Sequence, residues 1–193
     1  MDYFLVTQDD EFKGDKVFKL PRFTNYKNLL KTYDFDYSKA LENEFLYVED
    51  EYAFKKYKDI YTSEFPIISE NFYAFFKEFF KDNIVFKNVI ITDNEVSSQL
   101  KYYYPALNKV DCLNKETKLN SFNTDIDVNR LKDLDLNMID ELILDYDKLT
   151  NLNLDAFYIE NFKKDIMIVN LYIAELILRK RLNGVALKRL RVK

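Results

Sequence analysis

The chain reads Asp165-Ile-Met-Ile-Val-Asn170-Leu-Tyr-Ile-Ala-Glu-Leu-Ile-Leu-Arg-Lys-Arg-Leu182-Asn-Gly184-Val-Ala-Leu-Lys-Arg-Leu190, and this stretch contains a complete strand–helix–strand pattern. Its β-rich start is typical of a buried strand. The side chain of Asn170 can accept an orphan N–H of the first helical turn. The apolar spacing that follows predicts a buried helix over 171–183. Gly184 suits the left-handed residue that ends many helices, so we expect a positive φ there.

The same pattern occurs earlier in the chain. Phe65-Pro-Ile-Ile68 predicts a strand, and Ser69 is a second residue of the N-cap type. Phenylalanines at helical spacing then predict an amphipathic helix near 70–81, followed by a strand over 84–92. In the two helices we expect these side chains to be mostly buried: Phe72, Phe76, Phe79, Leu171, Ala174 and Leu178.

Other short apolar runs complete the fold prediction. They predict strands at Tyr3–Thr7, Val17–Leu20, Phe45–Val48, Tyr102–Val110, Leu142–Tyr146 and Ala156–Ile159. Loose helical spacing occurs at Tyr26–Tyr33 and Tyr52–Tyr61. Together these patterns predict an α+β fold: a mixed, mostly antiparallel sheet of short strands with two main amphipathic helices. We expect one domain over 1–193, with a variable N-terminal lobe at 1–62 and a second region at 63–193 as the alternative.

Composition limits the chemistry that this chain can perform. It has 193 residues, no histidine, two glycines and one cysteine, Cys112. A Ser-His-Asp or Cys-His site is therefore impossible, and two glycines cannot build a phosphate-binding loop. A hydrolase that uses only carboxylates stays open, because it needs just two facing acids. We expect no cofactor, no metal and no membrane span, and a reduced, cytoplasmic protein.

The sequence Asp-x-Asp-x-Asn occurs twice, at 125–129 and at 133–137. It matches the first ligands of a calcium-binding EF-hand loop. Both copies lack the glycine required at position 6 and the glutamate required at position 12. We therefore interpret these acids as the solvent face of a strand.

Charge is distributed unevenly along the chain. Between Asp111 and Asp147 there are ten acidic and four basic residues, a net −6, within a chain of net charge −4. From Arg179 to Lys193 there are seven basic residues and no acidic one. The overall negative charge argues against nucleic-acid binding. The acidic stretch can steer a basic protein partner, and its candidate contacts are Asp125, Asp127, Asp133, Asp135, Asp140 and Glu141.

Several segments, in order, resemble a large bacterial family of immunity proteins from polymorphic toxin systems, long catalogued as a domain of unknown function. The resemblance covers residues 60–190 and is carried by Phe65-Pro-Ile-Ile-Ser69, Tyr104-Pro-Ala-Leu-Asn-Lys-Val-Asp111, Leu142–Asp147, Asp155-Ala-Phe-Tyr-Ile159, Ile166-Met-Ile-Val-Asn170 and Asn183-Gly-Val-Ala-Leu187. The segment Cys112-Leu-Asn114 departs from the family pattern, which has an acidic residue followed by serine.

The resemblance implies a non-catalytic protein that binds one cognate toxin domain and blocks it. The family transfers no catalytic residues to this chain. Two alternatives from other classes stay open at this point. One is a carboxylate-based hydrolase or metal-dependent enzyme, and the other is a structural or assembly protein of a phage or virus.

Overall fold

The computed structural model describes residues 2–9, 45–49, 58–62, 66–80, 84–93, 98–120 and 134–193. The strand predicted at Val17–Leu20 and the helical spacing at Tyr26–Tyr33 lie outside these ranges. Within them, no helix has the length and apolar character needed to cross a membrane.

Short strands and three α-helices make up the described part of the chain. The strands are β1 Tyr3–Gln8, β2 Phe45–Glu49, β3 Ile60–Tyr61, β4 Ile67–Ser69, β5 Val85–Asp93, β6 Ser98–Ala106, β7 Lys109–Val110, β8 Lys118–Leu119, β9 Ile139–Glu141, β10 Ile143–Leu144, β11 Ala156–Ile159, β12 Met167–Asn170, β13 Val185–Arg189 and β14 Arg191–Val192. The helices are α1 Glu70–Phe79, α2 Tyr146–Thr150 and α3 Leu171–Lys180. The predicted α+β class is confirmed, and so are both strand–helix–strand units, β4-α1-β5 and β12-α3-β13.

The chain divides into two compact units. The first comprises Met1–Thr7, Leu107–Arg181 and Ala186–Lys193, and the second comprises Gln8–Ala106 and Leu182–Val185. The division at residues 62 and 63 that the sequence suggested stays a prediction.

The first unit is built on a five-stranded sheet of order β13-β1-β12-β11-β7. β12 runs antiparallel to both neighbours, pairing Ile168 with Leu5 of β1 and with Phe157 of β11. β11 and β7 are parallel. Leu5, Phe157 and Ile168 belong to one buried cluster with Cys112, which is fully buried. Burying these apolar side chains is the main favourable term that holds the unit together.

The second unit is built on a five-stranded sheet of order β2-β5-β6-β4-β3. Only β2 and β5 are parallel among its pairs of described strands. Tyr73 of α1 stacks on Tyr103 of β6, with ring centroids 3.9 Å apart, and meets Phe86 of β5 edge-on at 4.9 Å. Phe72 and Phe76 of the same helix are fully buried. The aromatic face of α1 is therefore packing surface, as its spacing predicted.

Both predicted helix starts are confirmed. The Ser69 Oγ accepts the N–H of Phe72 at 3.2 Å, and the Asn170 Oδ1 accepts the N–H of Ile173 at 3.0 Å. These contacts satisfy backbone donors that have no partner within the first turn.

The predicted end of the second helix is wrong. α3 stops at Lys180, and Arg181 takes the left-handed conformation with φ 51° and ψ 47°. The Arg181 N–H donates to the Leu178 carbonyl and closes the last turn. Gly184 does have the predicted positive φ, at 68°, but it lies in the turn before β13. Because glycine favours this conformation, the sequence predicted the helix end at Gly184. Arg181 adopts the conformation three residues earlier.

The burial predictions for the two helices are confirmed for some side chains and wrong for others. Phe72, Phe76 and Ala174 are buried as predicted, and Phe79 is half-buried. Leu171 and Leu178 are exposed, so the prediction is wrong for both. The buried face of α3 consists instead of Ile173, Ala174 and Ile177. Because all sides of this helix carry apolar residues, spacing alone could not identify the inner face.

Three strand boundaries also differ from expectation. Tyr146 begins α2, because the Asp145 carboxylate caps that helix by accepting the N–H groups of Asp147 and Lys148. The strand predicted over 102–110 is interrupted after Ala106. The segment 52–61 has loose helical spacing, but its last two residues form the strand Ile60–Tyr61.

Candidate interaction surface

The outward face of α3 exposes large apolar side chains on a regular helix. Leu171 is 41% exposed, Tyr172 56% and Leu178 66%. Leu171 and Leu178 are seven residues apart, about two turns, and therefore lie on the same side of the helix. Tyr172 lies about 100° further round the helix. We call Leu171, Tyr172 and Leu178 the α3 face.

Polar contacts fix the helix that presents this face. At its start, the Asn170 amide also donates to the Asp155 carboxylate at 2.7 Å, and the Asn170 N–H donates to the Asp155 carbonyl at 2.9 Å. At its end, the Arg181 N–H closes the last turn. Ile173 and Ile177 anchor the opposite side of the helix in the core. Helix α3 is thus fixed at both ends, so the α3 face lies on a rigid element.

Glu175 and Arg179 lie between Tyr172 and the line of Leu171 and Leu178 on the helix surface. Glu175 and Arg179 form an ion pair at 3.4 Å, one helical turn apart, with both side chains largely exposed. Such pairs add only a few tenths of a kcal/mol to a helix. Lys180, the last residue of the helix, and Arg181, just beyond it, continue the positive charge, and both are exposed.

The six acidic residues predicted to contact a partner differ in whether the structure describes them and in what their carboxylates contact. Asp125, Asp127 and Asp133 lie outside the described residues. The Asp135 carboxylate accepts the N–H of Asn137 at 3.0 Å and caps a short 3₁₀ helix, whereas Asp140 is exposed on β9.

The sixth acid, Glu141, is held by two cations of its own unit. Its carboxylate pairs with Lys118 at 2.7 Å and with Arg191 at 3.4 Å. The hydrogen bond from Lys118 is the main reason that the pKa of Glu141 is lowered. Of the three described candidates, Glu141 is therefore the one whose charge is most compensated locally.

Internal ion pairs also account for much of the basic tail. Arg189 pairs with Asp2 at 2.7 Å, Arg191 with Glu141, and Lys193 with Glu116. Lys193 lowers the pKa of Glu116 through this hydrogen bond and its charge. These contacts favour a structural role for the last two strands over phosphate binding.

A buried carboxylate organises the second unit. Asp59 is 4% exposed, and Ser69 is fully buried beside it. One carboxylate oxygen accepts the Ser69 hydroxyl, and the other accepts the Asn183 N–H at 2.6 Å. The Asp59 N–H donates in return to the Asn183 carbonyl at 2.8 Å. Both carboxylate oxygens are thus engaged in holding the N-cap of α1 and the turn at Asn183.

Nucleophile and metal chemistry find little support in the described part of the chain. Burial raises the pKa of the Cys112 thiol to about 12, so the thiol is protonated at neutral pH. No three acids or cysteines among the described residues group as metal ligands. The described residues of the second Asp-x-Asp-x-Asn copy, Asp135 and Asn137, contact each other instead.

Sequence reasoning missed the α3 face because it assigned Leu171 and Leu178 to the core. Ile173 and Ile177 form the inner face, but Leu171 and Leu178 also have helical spacing, so the sequence did not distinguish the two pairs. No protein-family model matches the chain, and no curated protein matches it.

Proposed function

We propose that this protein is an immunity protein that binds one cognate toxin domain in the cytoplasm and blocks it without catalysing a reaction. The observation that carries the proposal is the α3 face, with exposed fractions of 41%, 56% and 66% on three large side chains of one helix. Large apolar side chains left exposed on a rigid element are a reason to expect binding there. The resemblance to immunity proteins over residues 60–190 supplies the class of partner.

Helix α3 suits recognition by insertion into a groove. Amphipathic helices that bind in this way use anchor residues spaced by three, four and seven positions. Leu171 and Leu178 have the seven-residue spacing, and Tyr172 adds an aromatic side chain of the type enriched in binding hot spots. A pre-formed helix also loses little conformational entropy on binding.

The acidic stretch has a separate part in this proposal, which is to steer the encounter. Neutralising Asp125, Asp127, Asp133, Asp135, Asp140 and Glu141 should lower the association rate and weaken its salt dependence, with smaller effects on dissociation. Glu141 should contribute least, because Lys118 and Arg191 already compensate its charge. If association is unchanged in the sixfold variant, the steering role is wrong while the immunity function can stand.

Co-expression with the cognate toxin gene, which we expect to be encoded next to this one, tests the function directly. We expect growth rescue together with a one-to-one complex in a pull-down. Rescue without a complex would indicate an enzyme that repairs or modifies the toxin target. Neither rescue nor binding would overturn the proposal.

A further inference from the structure

The turn before β13 contains the one asparagine of this sequence that a glycine follows, Asn183. Asn183 is exposed, and Gly184 has a φ of 68°. In such a pair the glycine nitrogen can attack the side-chain carbonyl carbon of the asparagine, because the two atoms close a five-membered ring. Glycine has no side chain that shields its nitrogen, and its backbone is the most adaptable of all residues. By sequence context, Asn183 is therefore the asparagine of this chain most open to ring closure.

The reaction that follows from this arrangement needs only water and hydroxide. The Gly184 N–H loses its proton to hydroxide, and the nitrogen forms a bond to the Cγ of Asn183. The side-chain amide nitrogen takes up a proton and leaves as ammonia, which gives a cyclic imide. Water then opens the ring at either carbonyl, so that aspartate or isoaspartate stands at position 183. Both products replace a neutral amide by a carboxylate.

Asp59 holds the backbone on which this ring would close. Its carboxylate accepts the Asn183 N–H at 2.6 Å, and its own N–H donates to the Asn183 carbonyl at 2.8 Å. The next carbonyl, that of Gly184, accepts the Asp9 N–H at 3.0 Å. Ring closure requires a ψ at Asn183 outside the ordinary backbone regions. A turn held by these contacts therefore has to open locally before it can react.

We propose that Asn183 is a site of spontaneous deamidation, that its contacts with Asp59 restrain the reaction, and that the carboxylate formed there weakens the second unit. This chemistry does not depend on the partner of the α3 face. It makes the turn at Asn183 a place where the age of the molecule is recorded as charge.

Both products conflict with the contacts that Asp59 makes. A carboxylate at position 183 brings a second negative charge to the residue that binds Asp59, whose exposed fraction is 4%. Like charges repel more strongly where water is scarce. Isoaspartate also adds a backbone carbon between the N–H and the carbonyl that Asp59 holds. Because the Ser69 hydroxyl donates to the same carboxylate, a displaced Asp59 also disturbs the N-cap of α1.

Peptide mapping by mass spectrometry measures the conversion at position 183 in the full chain, incubated at mildly alkaline pH. The wild type is compared folded and in urea, together with two folded variants. Asp59→Asn keeps the size of the side chain but removes one of its two acceptor oxygens. Asn183→Gln is the matched control, since it keeps an exposed amide that would have to close a less favourable six-membered ring.

We expect conversion of the wild type to be severalfold slower in the folded chain than in urea. Asp59→Asn should convert at an intermediate rate, and Asn183→Gln should not convert at this position. Equal rates for the folded wild type and Asp59→Asn would overturn the restraint by Asp59. If neither folded chain converts while the chain in urea converts fully, Asn183 is not a modification site of the folded protein.

Asn183→Asp, one of the two products, tests the consequence for stability. Thermal unfolding should show it melting several degrees below Asn183→Gln. This difference should shrink when both substitutions are combined with Asp59→Asn, because the repelling charge is then absent. If Asn183→Asp and Asn183→Gln melt at the same temperature, the proposed weakening of the second unit is wrong.

Discussion

Gly184 allows backbone strain to be measured separately from side-chain crowding. Its φ is 68°, and an added Cβ would lie 3.2 Å from the Cγ of Lys58. The left-handed conformation costs an L-residue about 1–2 kcal/mol, and a β-branched side chain costs more. The crowding adds little if the flexible Lys58 side chain moves by a few tenths of an ångström. Gly184→Val should therefore lower the free energy of unfolding by about 2 kcal/mol.

Urea and thermal unfolding of Gly184→Val and Gly184→Asn provide the measurement. For a chain of this length about 2 kcal/mol corresponds to a fall in melting temperature of roughly 4–8 °C. Asparagine adds a Cβ at the same place but tolerates left-handed φ, so Gly184→Asn should cost clearly less. Equal losses in the two variants would show that contact with Lys58, and not backbone strain, sets the cost. Full stability of Gly184→Val would refute the reasoning altogether.

Three further predictions concern buried and paired groups. Asp59→Ala should destabilise by about 2–4 kcal/mol in urea unfolding, because it leaves the buried Ser69 hydroxyl and the Asn183 N–H without their acceptor; a loss below 1 kcal/mol would contradict this. Cys112 should react with a thiol reagent at pH 8 only in denaturant. Because its folded pKa of about 12 exceeds the ordinary 9.0, its contribution to stability should be complete below pH 9 and disappear as pH rises toward 12. The pKa of Glu141 lies below its ordinary 4.5, so its contribution is present above that pH and is lost as pH falls through the lowered value. A carboxyl titration by NMR should show this pKa rising in a Lys118→Met variant.

Local chemistry was readable from the sequence wherever one residue type had one clear role. Ser69 and Asn170 were predicted as N-caps because their side-chain oxygens can reach backbone donors of the first turn, and both do. The phenylalanines of α1 were assigned correctly because Asn71, Lys77 and Glu78 marked the outer face by polarity. Helix starts and strongly amphipathic faces thus follow from local physics.

Tertiary arrangement was less accessible. Asp59 contacts Ser69 and Asn183, which lie 10 and 124 positions further along the chain, and no local pattern predicts such a meeting. Likewise, the basic pattern at the C-terminal end of the sequence did not predict that Arg189, Arg191 and Lys193 pair with Asp2, Glu141 and Glu116. Charge patterns indicate which residues can interact, but topology decides which of them do.

The error on α3 is informative in itself. Leu171 and Leu178 were assigned to the core because leucines at helical spacing usually belong there. Ile173, Ala174 and Ile177 fill that role, and the leucines face outward at 41% and 66% exposure. Fully burying an exposed leucine is worth about 1.5–3 kcal/mol, and covering what remains exposed of these two would supply part of that free energy for each. In the proposed function, binding to a toxin domain would recover that free energy. A sequence rule that fails at this position therefore supports a docking role for α3, because function is where local rules are most often broken.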